Sequence, residues 1–196
     1  VTAWSASAQL SVSQLRTEHL TDPVGIGERR PLLSWEVSDA SRRGVTQSAY
    51  EIRVKSGGRT VWRTGKVASA ESAGVFYDGT PLTSDTRYTW QVRVWDARGK
   101  ASAWSRPAFW RTGLFDVGEW QARWIEPAVS DDLAAMFRRT FRVTKPVAEA
   151  TVYVTAHGIY EASVNGHRVS DDLLTPGWTA YKKRLQYQAY DITPLV

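Results

Sequence analysis

Two adjacent carboxylates, Asp171 and Asp172, lie between an Asn165-Gly166 turn and a Pro176-Gly177-Trp178 turn. Neighbouring negative charges repel, and a shared cation or a set of hydroxyl donors relieves that repulsion. Such a pair can accept hydrogen bonds from a polyol. It can also supply two of the six to eight oxygens that Ca²⁺ takes. Trp178 adds an indole of the kind that stacks on sugar rings, and Tyr181 a phenol, although both could instead anchor the turn in a core. A solvated loop after a hairpin is the plain alternative for any two acidic neighbours.

Other chemistry is absent. The chain has no G-x-S-x-G, no H-E-x-x-H and no phosphate-cradling glycine loop. His19, His157 and His167 have no second His or carboxylate at ligand spacing on one face, which makes them structural or surface residues. With no Cys there is no disulfide framework, thiolate metal site or Cys nucleophile. Many Asp/Glu pairs could be drawn as a glycosidase acid and base, but that assignment needs a distance between carboxyl groups. No active site is legible in these residues.

Hydrophobic residues make up 42% of the 196, enough for a packed core. Ten Trp and eight Tyr stand against five Phe and one Met. Wide rings with a polar tip suit sheet surfaces, and they also stack on sugars and bases. Net charge is +5 and the pI is near 9.6. The cations are spread among acidic residues along the chain. The densest runs, Glu28-Arg29-Arg30 and Lys182-Lys183-Arg184, are too short for a nucleic-acid arm and read as solvated surface. Nucleic-acid binding would need Lys and Arg clustered on one face with rings between them, and the dispersed charge argues against it. No run approaches the roughly eighteen apolar residues of a membrane span. The opening VTAWSASAQL is not a signal peptide as it stands.

The elements that must position these groups are strands. Helical periodicity is nearly absent, while alternating runs recur: LLSWEV (32–37), YEIRV (50–54), RTVW (59–62) after a Gly57-Gly58 turn, and YTWQVRVW (88–95). Regular short strands with polar turns predict an antiparallel sandwich. The connecting stretch 114–127 is too apolar for a free linker. Leu114, Phe115, Trp120, Trp124 and Ile125 are expected to be buried in a packed aromatic connector clamping two domains together. Alternation then resumes in FRRTFRV (137–143) and ATVYVT (150–155), and Asn165-Gly166 is the sequence of a type I′ hairpin. A second all-β unit is expected from residue 128. Its roughly seventy residues fall short of the hundred or so that a sandwich usually takes, so it reads as a truncated one.

Two resemblances sharpen this. LTSDTRY (82–88) follows the L-x-P-x-T-x-Y pattern of fibronectin type III domains, with Ser84 where Pro is usual. Trp35 falls at the family's strand-B tryptophan, and Ala103-Trp104-Ser105 resembles the Trp-Ser element of its last strand. This resemblance implies a fibronectin type III/immunoglobulin-like sandwich over residues 10–113, after a loose leader, with Tyr88 forming a tyrosine corner. Residues 123–196 are similar almost continuously to the N-terminal region of bacterial α-L-rhamnosidases. The matching runs are WIEP, MFRRTFRV, VYVTAHGIYEASVNGHRV and LTPGWTAYKKRLQYQAYDIT.

That second resemblance implies a modular inverting glycoside hydrolase acting on terminal α-L-rhamnosyl residues. Its acidic general acid and base would lie in an (α/α)₆ barrel C-terminal to residue 196. The fragment alone is then expected to be inactive, its partners being L-rhamnose-containing glycans and the parent enzyme's C-terminal domains. Residues 128–196 are similar to the start of a jelly-roll-like module that in some members binds terminal L-rhamnose with Ca²⁺. By motif position Asp171 and Asp172 sit at its sugar-contacting pair, where some relatives carry an amide at the second place. Trp178 is the accompanying candidate. The competing reading is a non-enzymatic protein-interaction module of tandem β-sandwiches. Neither nucleic acid nor membrane is expected as a partner.

Overall fold

Period-two alternation decides the first unit. In a computed structural model describing residues 10–128 and 134–196, eight strands form two sheets. They are β1 (Ser11–Thr17), β2 (Val24–Ile26), β3 (Leu32–Ser38), β4 (Ala49–Ser56), β5 (Arg59–Arg63), β6 (Val75–Phe76), β7 (Arg87–Trp95) and β8 (Ala108–Thr112). One sheet runs β1-β3-β6 and the other β2-β8-β7-β4-β5. Among the described residues only β2 and β8 pair in parallel. The longest register, Ala49↔Trp95 through Lys55↔Thr89, joins β4 to β7. The loose leader expected before residue 10 lies outside the described residues.

The strands turn most of their apolar positions inward. Leu33 and Trp35 meet Tyr50, Ile52, Val54, Trp90, Val92 and Trp110 in one core. The tyrosine corner is present: the Tyr88 hydroxyl accepts from the Thr83 amide at 3.0 Å. Ser84, where proline is usual, has its own task, because its hydroxyl accepts from the Phe115 amide at 3.0 Å. The Trp35 indole donates to Gln47 Oε1 at 2.9 Å, which satisfies a polar group that burial would otherwise penalise. Residues 102–105 follow β7 through their backbone and their serines. Ser102 and Ser105 accept from the Val94 and Val92 amides through their hydroxyls, and their own amides donate back to the same residues' carbonyls.

The outer face of the five-stranded sheet departs from the sequence expectation. Arg53, Lys55, Arg87, Arg93 and Arg111 are dispersed in sequence, but they alternate with core residues on adjacent strands and so fall on one face.

The second unit begins at Asp116, leaving Leu114 and Phe115 with the first. It holds β9 (Thr151–Val154) paired antiparallel with β12 (Gln188–Asp191), and a hairpin of β10 (Ser163–Val164) and β11 (His167–Arg168). Asn165 and Gly166 take φ of 51° and 83°, as a type I′ turn requires. Apart from two short 3₁₀ turns, Val117–Glu119 and Thr193–Leu195, no helix occurs among the described residues, and none could cross a membrane.

Two expectations are corrected here. The alternating run 137–143 is not a strand, and Phe137, Phe141 and Val143 are 51%, 63% and 50% exposed. Alternation prepares a face, but a strand also needs a hydrogen-bonding neighbour, and no described residue pairs with this run. The connector's side chains are also not all buried. Trp120 packs edge-on against Tyr187 at 5.4 Å, whereas Trp124 and Ile125 remain 63% and 67% exposed.

Candidate functional site

The loop after the β10–β11 hairpin is shaped by local hydrogen bonds. The Val169 amide donates to the Ala162 carbonyl at 3.0 Å and closes the hairpin's base. One turn on, the Asp172 amide donates to the Ser170 hydroxyl at 3.0 Å. The buried Thr175 then ties the loop to residue 160. The Tyr160 amide donates to its carbonyl at 2.8 Å, and its hydroxyl donates to the Tyr160 carbonyl at 3.1 Å. Gly177 turns the chain with φ of 96°, and a side chain there would meet Gln186 Oε1 at 2.8 Å.

These bonds fold residues 160–175 around an open, shallow polar depression, lined by Tyr160, Arg168, Ser170, Asp172, Thr175 and Tyr190, among others. The Tyr160 hydroxyl donates to Gln188 Oε1 at 3.1 Å and lies 3.2 Å from the Tyr190 hydroxyl. Burial raises the Tyr160 phenol above its ordinary value; the Tyr190 hydroxyl and the Asp172 charge push it further the same way. Tyr160 therefore stays a neutral hydroxyl at any physiological pH. Arg168 reaches Glu161 at 3.5 Å on the exposed side. The depression thus combines a carboxylate acceptor, hydroxyls that both donate and accept, and a guanidinium donor. That mixture suits a small uncharged polyol better than an ion of either sign.

The sequence candidates divide here. Asp172 lines the depression; Asp171 and Trp178 do not, and Trp178 is 87% exposed, which removes the core-anchor reading for it. Tyr181 is structural: its hydroxyl accepts from the Gly158 amide at 2.9 Å, and its ring stacks on His157 at 5.0 Å. Trp124 covers the same imidazole at 4.6 Å. Tyr160, Arg168 and Tyr190 carry no local signal in the sequence, because Tyr160 and Tyr190 stand thirty positions apart and meet only in the fold. For Ca²⁺ the fit is poor. Among the described residues no three His, Asp or Glu side chains converge, and two neighbouring carboxylates fall short of the oxygens that ion needs.

Comparison with known proteins agrees with both units. Residues 12–116 match the family model described as the Rha78A-like, N-terminal immunoglobulin domain, and residues 145–196 match the α-L-rhamnosidase N-terminal domain. A curated α-L-rhamnosidase of Formosa agariphila is 32% identical over 92% of this chain and 21% of its own length. One from Streptomyces avermitilis is 37% identical over 82% of this chain and 18% of its own length. Among solved structures, the α-L-rhamnosidase from Dictyoglumus thermophilum superposes with a TM-score of 0.84 at 33% identity, covering 95% of this chain and 24% of that one. The Streptomyces avermitilis α-L-rhamnosidase complexed with L-rhamnose gives 0.58 at 33% identity, covering 96% and 21%. The chain spans about a fifth of the length of the relatives it matches.

Proposed function

Because the chain belongs to the α-L-rhamnosidase family, as the N-terminal region of such proteins, we propose that it is the non-catalytic front of an inverting α-L-rhamnosidase. In this reading the general acid and base lie in a C-terminal (α/α)₆ barrel, and the whole enzyme removes terminal α-L-rhamnosyl residues from glycosides or polysaccharides. The chain supplies a scaffold and a weak sugar site. The observation that carries the second role is the shallow polar depression at Asp172, which acceptor and donor groups line together.

The chemistry of that site follows from its groups. Asp172 accepts hydrogen bonds from vicinal hydroxyls of L-rhamnose, each such charged contact being worth roughly 1.5–3 kcal/mol. The Tyr190 hydroxyl and Arg168 donate to the sugar's oxygens, and the Tyr160 hydroxyl, whose proton is given to Gln188 Oε1, accepts. Asp171 and Trp178 serve as rim contacts. A Ca²⁺ ion bound here would take Asp171 and Asp172 together with oxygens that the described residues do not bring together. Holding a rhamnose-bearing polymer in this way raises substrate concentration near a distant barrel without performing chemistry.

Calorimetric titration of L-rhamnose, with and without Ca²⁺, tests this reading. Millimolar binding is expected, weakened at least about tenfold in Asp172→Ala and within about threefold of wild type in Asp171→Ala and Trp178→Ala. Equal binding by wild type and Asp172→Ala would remove the site.

A further inference from the structure

The first unit carries the chain's positive excess: Lys and Arg outnumber Asp and Glu up to Phe115 and nearly balance them beyond it. Much of that excess is gathered on the outer face of β4, β5, β7 and β8. There Arg53, Lys55, Arg63, Arg87, Arg93 and Arg111 stand on the side opposite the core. The carboxylates among them are Glu51, buried between Arg63 and Arg93, and Asp85, at the edge beside Arg111.

Rings hold three of these cations, Arg53, Arg87 and Arg93, in place. The Trp104 ring lies 4.2 Å from the Arg53 guanidinium and 4.9 Å from that of Arg93. Trp95 takes Arg93 at 4.9 Å and the Lys66 ammonium at 5.0 Å, and Phe109 takes Arg87 at 3.7 Å. Arg53 is further fixed by two bonds to Gln91 Oε1, at 3.1 and 2.7 Å. A guanidinium has five N–H donors, so such a bond pair leaves others to offer. Cations ordered in this way lose little conformational entropy when they meet an anion. Lys55 and Lys66 extend the same charge.

We propose that this face docks an acidic polysaccharide, one whose sugars carry carboxylate or sulfate groups. Charge complementarity argues for a polyanion. The rings are already covered by guanidinium groups, so they cannot serve as the open stacking platforms that single-stranded nucleic acid uses. The choice of a glycan rests on the proposed function. The face is built from residues of the first unit and the Asp172 depression from residues of the second, so either proposal can fail alone.

Affinity electrophoresis of the 196-residue chain in gels containing dextran sulfate, polygalacturonate or uncharged dextran tests the proposal. Retardation is expected with both polyanions and not with dextran, and it should fade as salt is added. The variant Lys55→Glu/Lys66→Glu keeps every Arg–ring contact and should weaken retardation about tenfold. Arg16→Glu/Arg43→Glu makes the same change in net charge away from this face and should retain most of it. No retardation by either polyanion, or equal loss in the two double variants, would overturn the proposal. So would tighter binding of duplex DNA than of both polysaccharides at equal salt. Loss of L-rhamnose binding with retardation intact would bear on the sugar site only.

Discussion

Glu51 shows what a buried charge needs in this fold. Its side chain is 4% exposed, and it accepts from Arg63 Nε at 2.5 Å and from Arg93 Nε at 2.7 Å. Burial works to raise its carboxyl, but the bonds and charges of the two arginines outweigh that, and it titrates below the usual carboxylate range. A carboxyl with a depressed folded-state value adds stability above its unfolded value, and that stability is lost as pH falls through the folded one. Glu51→Gln is therefore expected to cost about 1–3 kcal/mol at pH 7 in denaturant unfolding. The gap between variant and wild type should narrow toward acid. A constant gap from pH 7 to acid would show that the charge is not the source. Asp172 differs: it is exposed, its loop is set by backbone bonds, and its replacement should leave folding nearly unchanged.

Elements account for what sequence made legible and what it did not. The strands β3, β4, β5 and β7 follow from alternation, and the tyrosine corner follows from LTSDTRY, because both are local patterns with one structural meaning. FRRTFRV has the same pattern and no strand, since pairing is a property of a neighbour. The depression at Asp172 was only half legible. Its acidic member stands out, but Tyr160 and Tyr190 look like any aromatic in an alternating run until the fold brings their hydroxyls together. The cationic face stayed hidden for a related reason: dispersal along a chain becomes clustering when every second residue of adjacent strands points one way. Hydrogen exchange should separate these cases. Amides of β4 and β7 should be the slowest to exchange and those of residues 137–143 among the fastest, because the first are laddered on both sides and the second are not. Slow exchange across 137–143 would mean that a pairing partner exists in solution.

At the scale of the molecule, the proposed function separates holding a sugar from cutting it. An aryl α-L-rhamnoside offered to a clean preparation of the chain is expected to show no turnover above buffer. Measurable hydrolysis would place an acid and a base within these residues and contradict the division of labour. Holding is tested most directly by following backbone amide NMR signals while L-rhamnose is added. Saturable shifts are expected, confined to amides around Tyr160, Arg168, Ser170, Asp172, Thr175 and Tyr190, and lost in Asp172→Ala. Saturable shifts centred elsewhere, or none at tens of millimolar sugar with and without Ca²⁺, would contradict it.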